Sequence, residues 1–436
     1  MATMQQSNLK CLIFLLIFLT TFSCSFANEE KPIFQVFNRF FNSTIEWRIQ
    51  QKAQSKEHRL NFSTPVLLAG FFCFVASSIS SAGGIGGGGL FIPILTIIAG
   101  LDLKTASSFS AFMVTGGSIP NVVSYMFIKN KKNGVKSLID YDIALLSEPC
   151  MLLGVSIGVI CNIMFPEWLI TIMFAVFLAW STFKTFKSGI FYWKLESRNG
   201  NQKLENGMDH EASDEGVREP LLIKDTKCKL DIPWMKLGAL TIIWFSFFLL
   251  YLLRGNRYGQ GIIHIETCGV GYWIISTAQI PLAVIFTSWT LYRREIKLIF
   301  PVMAFLAGAL GGIFGIGGGM LISPLLLQVG ITPEVTAATC SFMVFFSSTM
   351  SAFQYVLLGM DHILSAIYFS IICFVGSLIG LVMLQRAVEK YGRASLIVFS
   401  VGLVLALSTV LMTGFGAVDV LRDYTNGRYM GFKLPC

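Results

Sequence analysis

The feature that most constrains this chain is its series of long apolar segments, at 64–82, 86–99, 106–128, 142–163, 168–188, 234–254, 271–291, 299–314, 316–329, 335–358, 362–384 and 394–414. Crossing a hydrocarbon core takes about 20 apolar residues as a helix, and most of the segments are near that length. An open strand in lipid would leave its backbone groups unpaired, so each segment should be α-helical. Composition agrees: only 13% of residues are charged and the mean hydropathy is +0.66, against about 25% charged in a soluble domain. The expectation is an all-α polytopic membrane protein, with about 10–12 transmembrane or half-membrane helices.

The formal net charge is +8, but the basic residues sit in short connections beside apolar runs rather than in an aromatic-laced stripe. That argues for membrane topology and against nucleic-acid binding. The groups Lys129, Lys131, Lys132 and Lys136; Lys184, Lys187 and Lys194; Arg293, Arg294 and Lys297; and Arg386, Lys390 and Arg393 all fall on the cytosolic side if the chain starts outside. This requires the short segments 86–99 and 316–329 to cross, or at least to return the chain to the other face. The tail from 415 to 436 then lies outside.

At the N-terminus, Lys10 precedes an apolar stretch from Cys11 to Phe22, and small residues at Ser25 and Ala27 fit a cleavage site. Residues 1–27 therefore read as a signal peptide, with a retained helix as the alternative. Entry through the secretory pathway follows, to the plasma membrane or an endomembrane. Residues 28–63 form an extracytosolic segment with sequons at Asn42 and Asn61. Residues 64–188 and 299–414 form two transmembrane repeats, 233–298 adds connecting transmembrane helices, and 189–232 reads as a flexible cytosolic loop. The ten cysteines form no CxxC pair and read as small buried hydrophobes.

The repeat is visible in the residues. Gly84-Ile85-Gly86-Gly87-Gly88-Gly89-Leu90-Phe91-Ile92-Pro93 matches Gly315-Ile316-Gly317-Gly318-Gly319-Met320-Leu321-Ile322-Ser323-Pro324, 231 positions on. The match continues without a gap through Thr105-Ala106 and Thr336-Ala337 to Ser110 and Ser341, and Gly154 and Gly158 answer Gly376 and Gly380. With the topology above, the two copies enter the membrane from opposite faces. Inverted repeats with discontinuous helices are a recurring design of secondary transporters.

Such glycine clusters do not hold a regular helix, since each glycine costs up to about 1 kcal/mol relative to alanine. Each motif reads as a break followed by a new helix, starting at Leu90 and Met320, with the proline near its first turn. A helix N-terminus offers free amides and a partial positive charge, and glycine lets a ligand approach them. The candidate anion-binding residues are Gly86, Gly87, Gly88, Gly89, Ser108 and Ser110 in one half and Gly317, Gly318, Gly319, Thr339 and Ser341 in the other. Close helix packing is the competing reading for the clusters, and the preferred one for Gly154, Gly158, Gly376 and Gly380. Glu148, deepest of the acidic residues and followed by Pro149, is the candidate proton carrier for coupling. Asp142 and Asp361 each open a helix and read as N-caps. His264 and Glu266 are too few ligands for a metal site, and no cofactor is expected.

The paired Gly-Ile-Gly-Gly-Gly motifs leading to Pro93 and Pro324, together with Ala337-Ala338-Thr339-Cys340-Ser341, resemble the TauE/SafE sulfite exporter family. The segment Cys268-Gly269-Val270-Gly271-Tyr272-Trp273, the signal peptide and the long central loop resemble its plant branch. The resemblance implies transport of sulfite, sulfonates or related anions. Ala106-Ser107-Ser108-Phe109-Ser110 departs from the Ala-Thr-Ser of the bacterial pattern. The expected function is a secondary transporter of small anions. A passive channel is the alternative, and an enzyme or receptor the weakest reading: no nucleophile–base motif is present.

Overall fold

The computed structural model describes residues 64–81, 83–84, 86–127, 138–205, 234–254, 269–293, 299–316, 318–360, 362–391, 395–425 and 431–432, all within one compact unit, His58–Cys436. The signal peptide, both sequons, Asp361 and most of the central loop lie outside the described residues. The described residues form twelve helices and no strand.

The first half holds α1 (Thr64–Ser81), α2 (Gly88–Ile97), α3 (Leu103–Phe127), α4 (Tyr141–Met164) and α5 (Glu167–Glu205). Two connecting helices follow, α6 (Trp234–Arg254) and α7 (Val270–Arg293). The second half holds α8 (Ile299–Phe314), α9 (Gly319–Gln328), α10 (Pro333–Leu357), α11 (Ile363–Tyr391) and α12 (Ser395–Thr425). Eight of the helices are long and apolar enough to cross a membrane. Ile242, Phe245 and Leu249 on α6 and Val284 and Ile285 on α7 are exposed, so these helices turn apolar side chains outward, as a surface in lipid requires.

Several boundaries differ from the expectation. The two short helices start at Gly88 and Gly319, so part of each glycine cluster is itself helical, where packing on neighbouring helices offsets its low propensity. Pro93 and Pro324 accordingly lie inside α2 and α9, not in the first turn, and each removes one intrahelical amide donor. Helix α5 runs on to Glu205, well into the segment read as a loop. The N-cap of α4 is Asp140, not Asp142: its carboxylate accepts from the amides of Asp142 and Ile143. Asp142 instead pairs with Lys236 at 2.7 Å.

The seams fix the relative directions of the helices. Along α4 and α8, Gly308 lies on the Met151 carbonyl and Gly312 on the backbone of Val155, so the two run parallel. Asp140 N–H donates to Thr339 Oγ1 and Tyr141 stacks edge-on against Phe342. Further along, Leu152 and Val155 share a cluster with Met350 and Tyr355, so α10 is parallel to α4 too. Asn162 Nδ2 donates to the Ile313 carbonyl while Phe174 packs on Phe314 at 4.5 Å. The chain must therefore turn between 162 and 174, and α5 runs back against α4. The Tyr192 hydroxyl donates to the Ile331 carbonyl, so the chain through α9 follows α5. Helices α8 and α9 thus form a hairpin whose tip is the second glycine cluster.

The same contacts recur between the halves. Gly376 lies on the Phe74 backbone and Gly380 on Ser78 in the α1–α11 seam, as Gly154 lies on Phe305 and Gly158 on Ala309 in the α4–α8 seam. The first seam adds hydroxyls: Ser77 donates to the Cys373 carbonyl and Ser81 to the Ser377 carbonyl, while Ser81 also donates to Asn121 Oδ1 and Ser377 to the Gly117 carbonyl, both on α3. In the second seam the positions of Ser77 and Ser81 are Gly308 and Gly312, so backbone contact replaces hydrogen bonds. Small residues that let backbones approach and hydroxyls that bridge helices are the two main ways to hold helices together in lipid.

Candidate functional site

The two glycine clusters meet. A β-carbon added at Gly88 would stand 2.7 Å from Ile316 Cα and 2.9 Å from its carbonyl oxygen. Val344 of α10 touches both clusters, 3.2 Å from a β-carbon at Gly86 and in direct contact with Gly319. Val114 of α3 closes the other side of Gly86, at 2.8 Å. The junction is therefore packed shut in this structure, by backbone and two valines.

At this junction the backbone needs glycine. Gly87 caps α2 with φ 81°, and its carbonyl accepts from the amides of Leu90 and Phe91. Gly315 holds φ 64° against the Ser107 carbonyl of α3, where any β-carbon would overlap backbone. Gly84 makes the corresponding approach to α10, where a β-carbon would stand 2.8 Å from the Ala337 carbonyl carbon and 2.6 Å from Ser341 Oγ. Each cluster is thus wedged against a helix of the opposite half, and each leads directly into the start of a short helix.

Of the candidate glycines, Gly86, Gly88 and Gly319 line the junction, whereas Gly87 faces Phe91 and Ser80 and Gly318 faces Met151 and Ala307; these and Gly89 are all buried, and Gly317 lies outside the described residues. The four hydroxyls fare differently. Ser108 donates to the Thr105 carbonyl and Ser341 to the Ala337 carbonyl, each within its own helix. Thr339 receives the Asp140 amide. Ser110 is fully buried and its hydroxyl has no partner. Glu148 is fully buried in α4 and both its carboxyl oxygens lack partners. From the register of Asp140 with Thr339, it stands level with Ser347 on α10. Val114 and Val344 escaped the sequence reading because an apolar residue at a helix crossing carries no chemical signature.

The sequence model of the family described as "Sulfite exporter TauE/SafE" matches residues 2–185 and 233–421. This chain belongs to that family. Sulfite exporter TauE/SafE family protein 2 of Arabidopsis thaliana is 56% identical over 99% of this chain and 100% of its own length. The TauE/SafE family protein 3 of the same plant is 30% identical over 86% of this chain and 83% of its own. A bacterial protein, the probable membrane transporter protein YunE of Bacillus subtilis, is 40% identical over 13% of this chain. No solved structure matches the chain.

The TauE/SafE assignment accounts for a multi-pass membrane protein of transporter type, and the names of its relatives speak of transport rather than catalysis. The glycine motifs that carried the resemblance are the residues that form the junction.

Proposed function

We propose that this protein is a secondary transporter of small, sulfur-containing anions, such as sulfite or a sulfonate, working by alternating access around the junction of its two glycine clusters. The observation that carries the reading is the contact of Gly88 with Ile316, which joins two helix starts from the two halves in the interior. Amides at helix N-termini attract anions without a fixed positive charge, which suits a site that must release its cargo.

Inversion of the repeats supports the mechanism. Helices α5 and α12 are equivalent in the two halves, and they pair antiparallel: Glu196 accepts from Ser395, Gly189 packs on Phe399, and Thr182 meets Thr409. Equivalent helices that run antiparallel are related by an axis across their length, which in a membrane is an axis in its plane. On this reading α8 and α9 form a hairpin entering from the cytosolic face, and α1 and α2 one from the other face. Each short helix, of ten residues, is about 15 Å long, half a bilayer. The positive-inside arrangement of the lysine and arginine groups is kept, because each hairpin returns the chain to its starting face.

Glu148 is the proposed coupling residue. A buried carboxyl without a partner is a functional feature by default in a membrane interior. The test is uptake of labelled sulfite, sulfate and a small sulfonate into liposomes carrying the purified protein, with and without a proton gradient. Saturable uptake of one anion supports the reading. Absence of uptake for all three, with folded protein, overturns it.

A further inference from the structure

The glycine junction is built of backbone, and of the four hydroxyls that the sequence pointed to beside it, Ser108 and Ser341 are bonded within their own helices and Thr339 accepts from the Asp140 amide. Other hydroxyls are better placed. On α5, Phe174, Ser181, Thr185 and Tyr192 are spaced by about two, one and two helical turns, so they line one face. The two ends of this stripe are anchored. Phe174 packs on Phe314, immediately before the second glycine break, and the Tyr192 hydroxyl donates to the Ile331 carbonyl, just after α9. Helix α9 therefore lies along the stripe. Ser181, about 10 Å of helix rise beyond Phe174, stands level with its N-terminus.

Ser181 and Thr185 are 0% and 1% exposed, and neither hydroxyl has a hydrogen-bond partner. A serine or threonine in a membrane helix ordinarily satisfies its hydroxyl on the carbonyl three or four residues back. Thr409, Ser156 and Ser341 do so here. The neighbouring Thr182 is also bonded, to Thr409 at 3.2 Å.

The second half repeats the arrangement. Ser408 of α12 lies 227 positions after Ser181 and seven residues after Val401, which packs on Gly83 before the first break as Phe174 packs on Phe314. Ser408 is 0% exposed and its hydroxyl also lacks a partner. Helix α12 packs against α2, as α5 packs against α9. The position answering Thr185 is Met412, so the two half-sites are unequal.

We propose that Ser181, Thr185 and Ser408 are side-chain donors to the transported anion, Ser181 and Ser408 standing beside the N-termini of the two broken helices and Thr185 one turn beyond Ser181. This deepens the proposed transport function and rests on it. Amides at a helix start and hydroxyls from the facing helix together suit an oxyanion, whose several oxygens can each accept a hydrogen bond, better than a halide. The unequal halves give one access state two hydroxyls and the other one, so release is easier toward the Ser408 side.

The experiment is concentration-dependent sulfite and sulfonate uptake into liposomes by the wild type and by Ser181→Ala, Thr185→Val, Thr185→Ser, Ser408→Ala and the neighbouring control Thr182→Val. Chloride is the competitor. Loss of one hydrogen bond to a charged group should raise KM by about tenfold in the Ser181, Thr185→Val and Ser408 variants. It should also strengthen inhibition by chloride. Thr185→Ser should restore the wild-type KM, and the control should keep it. Unchanged KM and unchanged chloride inhibition in all three variants, with a transporting wild type, would overturn this proposal alone. A wild type without saturable uptake of either anion would overturn the transport reading and this proposal with it.

Discussion

Gly88 and Ile316, 228 positions apart in the chain, touch through their backbones: a β-carbon on the glycine would come within 2.7 Å of the isoleucine Cα. The contact joins the broken helix of one half to the break of the other, and it decides which side chains the junction tolerates. Gly88→Ala should be accommodated only if the two breaks separate, because the obstructing atoms are backbone. Uptake by this variant should fall by an order of magnitude or more. Overpacking should destabilise it by about 1–3 kcal/mol, so it should melt at a lower temperature in detergent. Wild-type uptake and stability would mean that the two clusters do not meet in the working protein.

Val344→Ala removes the side chain that touches both clusters without touching their amides. Truncation of a buried valine costs about 1–3 kcal/mol, so the variant should melt lower. A looser junction should at the same time open more readily, giving faster turnover with KM little changed. A fall in stability together with slower transport would argue against Val344 as a closing residue.

Glu148→Gln keeps the size of the side chain and removes its capacity to carry a proton. With both oxygens unpartnered in the native protein, the substitution breaks no hydrogen bond, so melting should be unchanged. Stimulation of uptake by a proton gradient should vanish while uptake without a gradient persists. Retained stimulation would remove Glu148 from the coupling role.

The cap of α4 distinguishes two neighbouring aspartates. Asp140→Ala forfeits two amide contacts and should cost about 1 kcal/mol. Asp142→Ala loses the partly exposed pair with Lys236 and should cost less, since such pairs contribute about 0–1 kcal/mol. Thermal melts of the two variants side by side measure the difference.

The ends of the two short helices should face opposite compartments. Cysteines introduced at the exposed Asp102 and Val329, in a background with the native cysteines replaced, should react with a membrane-impermeant thiol reagent from the outer and the cytosolic face respectively. Labelling of both from one face would contradict opposed hairpins.

The sequence reading reached far along the helices because their cause is local. The expected segment 234–254 coincides with α6 and 299–314 with α8, since burial of apolar residues in lipid depends on each stretch alone. It stopped short where helices continue past the membrane: α5 and α12 end at Glu205 and Thr425, beyond the apolar signal that marked them. It named the glycines of the junction but not Ser181, Thr185 or Ser408. Serines and threonines are frequent in membrane helices, and only the positions of Phe314 and Ile331 against α5 separate these from the others.

What the sequence determined by itself is the class of protein, the approximate course of its twelve described helices and the duplication of its glycine breaks, because hydropathy and repeated motifs are written residue by residue. The tertiary structure alone decided that Gly88 meets Ile316 and that Gly315 packs on the Ser107 carbonyl. These depend on which backbones come within van der Waals distance across more than a hundred residues of chain, and no local preference carries that information.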